Sequence, residues 1–124
     1  MLGAMPTIVV VEDDASMSQA MERILRVGGF AVVMFGSAEA ALEVDAAKTA
    51  DCLVLDIRLP GISGFELCRR LLPGGGQPPA IFITAHDEPA IREEAERLGA
   101  RSYLVKPFSG RTLLDAVTEA LAAR

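Results

Sequence analysis

"CLVLDIRLPG", residues 52–61, runs four apolar residues into a carboxylate and then turns through Pro60-Gly61. A continuous apolar run without polar alternation is what a strand covered on both faces requires. A carboxylate closing such a strand is costly unless something compensates it, which marks Asp56 as a functional candidate. Four more runs of this kind follow or precede it: Thr7 to Val11, Ala31 to Phe35, Ala80 to Ile83 and Ser102 to Val105. Between the runs lie helical stripes: Met17, Met21, Ile24 and Leu25; Leu67, Cys68, Leu71 and Leu72; Leu113, Leu114, Val117 and Leu121. The chain therefore reads as five βα units. Right-handed crossovers then give an α/β fold, an open, doubly wound parallel sheet sandwiched between helices.

Local signals refine the helices. Ser37 and Ser109 stand where N-caps belong, and Ser16 with Gln19 fits a capping box at the first helix. The fourth predicted helix, after Asp87, has the thinnest apolar stripe, Ile91, Ala95 and Leu98 among Arg92, Glu93, Glu94, Glu96 and Arg97. It is expected to be the most mobile helix. The segment from Pro73 to Pro79 is glycine-rich, but it lacks Gly-Lys-Ser/Thr and precedes a strand, so it is expected to be a plain flexible connection rather than a phosphate loop.

The 124 residues amount to about one domain, and a 51% hydrophobic composition supplies a single core. Residues 1–6 read as a disordered start or a cloning remnant, and 7–124 as the domain proper. No apolar run reaches the roughly 18 residues of a membrane span, and the start lacks the basic flank and apolar core of a secretory signal. A cytoplasmic protein without membrane attachment is expected. Cys52 and Cys68 lack metal or redox spacing and read as buried reduced thiols. A net charge of −5 and a pI near 4.8 argue against direct nucleic-acid binding by this domain. The partner is then a protein or a small cation.

"VVVEDDAS", residues 9–16, places Glu12, Asp13 and Asp14 in succession with no Lys or Arg before Arg23. In a parallel α/β sheet, ligands bind beyond the carboxyl ends of the strands. Asp13 follows the first strand, Asp56 ends the third, Thr84 ends the fourth and Lys106 follows the fifth, so these groups converge on one edge. Taken singly, Asp13 or Asp14 could be a helix cap, Thr84 a strand-end hydroxyl and Lys106 a solvated cation. Together they meet the needs of phosphoryl transfer to a carboxylate: Asp56 as nucleophile, Lys106 and Thr84 on phosphoryl oxygens, and a hard divalent cation, Mg2+ by first choice, compensating the acids.

The combination of "VVVEDD", "LVLDIRLPGISGFEL", "IFITAH" and "YLVKPF" resembles the receiver domain of two-component response regulators, over essentially the whole chain from Thr7. The resemblance implies a flavodoxin-like (βα)5 fold with strand order 2-1-3-4-5. It implies that Asp56 accepts a phosphoryl group from a sensor histidine kinase or a histidine phosphotransfer protein, and that the domain assists only its own phosphorylation and dephosphorylation. Asp13 becomes a direct Mg2+ ligand, Glu12 a ligand through water, the Arg58 carbonyl a backbone ligand, and Asp14 a cap. Thr84 and Tyr103 match the switch pair, Tyr103 turning from exposed to buried on phosphorylation. The bland alternative for Tyr103 is a half-buried strand tyrosine. Pro107 would follow a cis peptide. Arg58 and His86 flank the path of the hydrolytic water and are expected to lengthen the phosphorylated lifetime, with His86 equally readable as a surface loop residue. A second copy or an output domain would bind through the fourth helix, fifth strand and fifth helix. The wording is most like receivers that precede helix-turn-helix outputs, so the chain reads as a stand-alone regulator or as a domain cut at its edge.

Two other readings compete. A phosphohydrolase of the haloacid-dehalogenase type also uses Asp, Thr, Lys and Mg2+, but needs an acid two residues beyond the nucleophile, where this chain has Arg58. A pseudo-receiver that only binds partners would be expected to have lost an acid, the acceptor or the lysine.

Overall fold

The computed structural model describes residues 5–71 and 78–122. The five expected runs form strands β1 (Thr7–Val11), β2 (Ala31–Phe35), β3 (Cys52–Asp56), β4 (Ala80–Thr84) and β5 (Ser102–Val105). All pair in parallel, in the order β2-β1-β3-β4-β5. Successive strand side chains point to opposite faces, and the core divides accordingly. Ile8, Val10, Val54, Ile81 and Ile83 pack on one face with Met21, Leu25, Leu113 and Val117. Val9, Val11, Leu53, Leu55 and Phe82 pack on the other with Ala41, Leu67 and Ala95. Every residue of β3 and β4 is buried, as their unbroken apolar runs require.

The helices are α1 (Ala15–Val27), α2 (Ala38–Leu42), α3 (Ala46–Thr49), α4 (Gly64–Leu71), α5 (Pro89–Arg97) and α6 (Gly110–Ala122). Thus α1 and α6 cover one face of the sheet, and the other helices cover the opposite one. The second crossover departs from the five-unit reading: two short helices stand where one was expected. Glu43, Val44 and Asp45 are exposed between them, and the buried residues of both helices are alanines, which give little apolar surface to hold one continuous helix.

At α1, of the two expected caps, the one the family resemblance implied is formed. Its N-cap is Asp14, whose carboxylate accepts the Met17 N–H at 2.9 Å, in place of the Ser16–Gln19 box. The helix has already begun at Ala15, which leaves Ser16 inside the first turn. Ser37 caps α2 through the Ala40 N–H, and Ser109 accepts the Thr112 N–H at the start of α6. Leu72 and most of the segment from Pro73 to Pro79 lie outside the described residues, as do the first four residues of the expected loose start. Both cysteines are buried thiols outside any disulfide, and burial pushes the Cys68 thiol up.

Candidate functional site

The chain leaves β1 toward β2 on one side and reaches β3 on the other, so the crevice between the ends of β1 and β3 is the switch point of the sheet. Residues just beyond the strands stay in register. Glu12 N–H donates to the Phe35 carbonyl at 3.0 Å, Ile57 N–H to the Ile83 carbonyl at 2.9 Å, and Lys106 N–H to the Thr84 carbonyl at 2.8 Å. Glu12, Asp56, Thr84 and Lys106 are therefore fixed by sheet backbone rather than by a free loop.

Asp56 is seated by the turn that follows it. Gly61 takes φ +78°, the left-handed region that glycine tolerates, after Pro60. The chain returns so closely that a Cβ on Gly64 would lie 2.2 Å from the Asp56 carbonyl oxygen. Gly64 N–H donates to the Ile57 carbonyl at 3.0 Å. Only glycine lets the start of α4 lie on the acceptor's own backbone.

Around Asp56 the charges are concentrated. Lys106 Nζ donates to Glu12 Oε1 at 2.9 Å and to Asp56 Oδ2 at 3.1 Å. Glu12 is 1% exposed and Lys106 18%. Glu12 Oε2 accepts the Asp14 N–H at 3.1 Å, and Asp56 Oδ1 accepts the Arg58 N–H at 3.3 Å. Burial pushes the Glu12 carboxyl up, with Lys106 and the Asp14 N–H only partly offsetting it. For Lys106, burial pulls downward, but the bond to Glu12 and the charge of Asp56 outweigh it and the ammonium pKa rises. Lysine is accordingly charged at neutral pH.

Glu12, Asp13 and Asp56 each bring a carboxylate oxygen within 4.8 Å of the others. Three acids against one ammonium leave two negative charges in excess. Oxygen donors, that excess charge and the exposure of Asp13 to incoming water together suit a hard dication such as Mg2+.

The remaining expected residues stand around this centre. Thr84 is fully buried, and its hydroxyl is engaged with the backbone of His86, accepting the N–H at 3.0 Å and donating to the carbonyl at 3.4 Å. His86 itself is exposed. The Arg58 side chain, about half exposed, leans toward Glu88 at 3.9 Å. Pro107 follows a cis peptide, as expected. Tyr103 is half-buried on its strand, as the alternative reading had it, rather than exposed at the start, and its hydroxyl is shut from solvent. The Arg92 guanidinium lies over the ring, with its carbon 4.4 Å from the centroid. Neither Arg92, its partner Asp87 nor Gly64 was singled out from sequence. Asp87 and Arg92 are five residues apart, off the i, i+4 spacing that marks helical ion pairs.

The family model for the response regulator receiver domain matches residues 8–118. The chain belongs to that family. Among curated relatives, this receiver domain is 42% identical over 113 residues to nodulation protein W of Bradyrhizobium diazoefficiens, covering 91% of this chain and 50% of that protein. It is 33% identical to the transcriptional regulatory protein FixJ of the same species, covering 92% and 56% respectively. The crystal structure of a response regulator receiver protein from Burkholderia phymatum superimposes with a TM-score of 0.83 at 43% identity, covering 94% of this chain and 95% of that one. The chain spans about half the length of the curated relatives it matches. Among the described residues no helix is long and apolar enough to cross a membrane.

Proposed function

We propose that this receiver domain is a phosphorylation-dependent switch in which Asp56 accepts a phosphoryl group from the phosphohistidine of a sensor histidine kinase or a histidine phosphotransfer protein. The observation that carries the proposal is the Lys106 ammonium held between Glu12 and Asp56 at the switch point of the sheet. An Asp56 carboxylate oxygen attacks phosphorus, the phosphorus–nitrogen bond of a donor phosphohistidine protonated on its other ring nitrogen breaks, and the donor histidine leaves as neutral imidazole. The product is an aspartyl phosphate. Lys106, already within hydrogen-bond reach of Asp56, meets the negative charge gathering on the phosphoryl oxygens. Mg2+ would be held by Asp13, Asp56 and the Arg58 carbonyl, with Glu12 through water, and would supply charge neutralisation at a further phosphoryl oxygen.

The readout follows from Thr84. Its hydroxyl gives up the His86 backbone and bonds the phosphoryl group, and the β4–α5 segment moves with it. The face of α5, β5 and α6 then changes for an output domain or a second copy. Arg58 would have to leave Glu88 to shield the phosphoryl group from water, and His86 stands beside the same approach. The setting proposed for this chemistry is the cytoplasm. The phosphohydrolase reading fares worse, since Arg58 stands where that class needs its general acid and the chain is a receiver by family.

Incubation with Mg2+ and a small-molecule phosphodonor, followed by mass spectrometry, should add one phosphoryl group, and Asp56→Asn should remove it. Labelling that survives in the variant, or proceeds without a divalent cation, defeats the proposal. Asp13→Asn should weaken labelling far more than Glu12→Gln, because only Asp13 is assigned direct contact with the ion. Metal titration of the two variants reads the difference, and equal effects would reverse the assignment.

A further inference from the structure

Tyr103 is the chain's one tyrosine, and there is no tryptophan. It lies opposite Phe82 in the β4–β5 register and packs against the apolar cluster shared with Leu67 and Ala95. Its hydroxyl is shut from solvent beside the Asp87 carboxylate. Asp87 is near enough that its charge adds to burial in pushing the phenol up. The apolar cluster holds the ring from one side, and the Asp87 carboxylate lies at its hydroxyl.

Arg92 lies over it. The Arg92 Nη2 donates to both oxygens of Asp87 at 3.0 Å, and the guanidinium carbon is 4.4 Å from the Tyr103 centroid. A planar guanidinium can serve a carboxylate from its edge and an aromatic ring from its face at once, which a lysine ammonium cannot match. Asp87 is three residues beyond Thr84, in the segment leading into α5. The three side chains thus form a chain from the β4–α5 segment to β5.

We propose that Arg92, anchored by Asp87, is a positioning residue that retains Tyr103 in its enclosed place, so that movement of the segment from Thr84 to Asp87 reaches the aromatic through the guanidinium. The signalling consequence rests on the assignment of Thr84 and Tyr103 as a switch pair; the retention itself concerns the unphosphorylated chain. Loss of the lid frees the ring before any phosphoryl group arrives.

The absence of tryptophan makes Tyr103 fluorescence a direct reporter. In the unphosphorylated full chain, Arg92→Ala should raise collisional quenching by acrylamide about two- to fivefold. Arg92→Met keeps the covering length without the charge and should open the ring nearly as far, whereas Arg92→Lys should restore part of the shielding. Asp87→Asn should act in the same direction more weakly. Far-UV circular dichroism confirms that the variants fold, as expected for a half-exposed side chain. Quenching unchanged in Arg92→Ala, or parental in Arg92→Met, overturns the proposal. Adding phosphodonor to the parent separates the two ideas. If Arg92→Ala opens the ring while phosphorylation leaves the parent's Tyr103 unmoved, the lid stands and the switch assignment falls. If phosphorylation moves Tyr103 equally from the same baseline in parent and Arg92→Ala, the switch stands and the lid falls.

Discussion

The edge of the sheet and the surface between α4 and α5 are built from the same kinds of charge with opposite consequences. At the sheet edge, Lys106, Glu12 and Asp56 meet with little access to water. Between the helices, Arg69 pairs with Glu66 and Glu94, and Arg97 and Arg70 extend the chain of pairs, all in contact with solvent. Exposed pairs gain little because water screens them and two long side chains must be ordered. Enclosed acids without their base would stay desolvated, so removing one member strands the others. Burial, rather than the number of ion pairs, decides where a charge can hold a reactive arrangement.

The sharpest way to break this comparison is Lys106→Met, which leaves Glu12 and Asp56 enclosed without their shared cation. It should cost about 3 kcal/mol in urea denaturation at neutral pH without divalent cation. A loss no larger than that from cutting a surface pair would erase the distinction. Gly64→Ala comes next. Its methyl group must displace the Asp56 carbonyl, a backbone atom, for about 1–3 kcal/mol. Phosphodonor labelling of Asp56 should slow in parallel, and a stable variant labelled at the parental rate would show the seat to be looser than its geometry.

Glu94→Gln should have the smallest effect, read as a slight fall in melting temperature at neutral pH that vanishes in high salt. The bond to Arg97, and then that to Arg69, hold the Glu94 carboxyl below its ordinary value of 4.5. A depressed carboxylate contributes stability above its unfolded pKa and loses it as pH falls through the folded one. The parent should therefore lose more stability on acidification below 4.5 than Glu94→Gln does. Identical acid limbs in the two chains would mean the surface pairs contribute nothing.

Much of this was legible in the residues. The strands were readable because β3 and β4 are buried on both faces, so their sequences carry no alternation to mislead. Asp56, Thr84 and Lys106 were readable because each closes or follows such a run. The break between α2 and α3 was hidden because an alanine-rich stretch is compatible with one helix or two. Of the two cap candidates at the first helix, Asp14 and Ser16, only the backbone path chooses, and it takes Asp14. The cover over Tyr103 was invisible for a different reason: it joins two elements through the faces of a ring and a guanidinium, and such contacts leave no period in the sequence. Gly64 looked like any loop glycine until the return of the chain placed Asp56 against it.

Lys106 and Glu12 are hydrogen-bonded across a separation of 94 residues. This long closure ties the site to completion of the sheet. A nascent chain displays Asp56 and both acids of the first strand's end well before Lys106 has been synthesised. A misfolded chain has every residue but no meeting point for them. Under the proposed chemistry, the acceptor site exists only where the ends of the first, third and fifth strands have met.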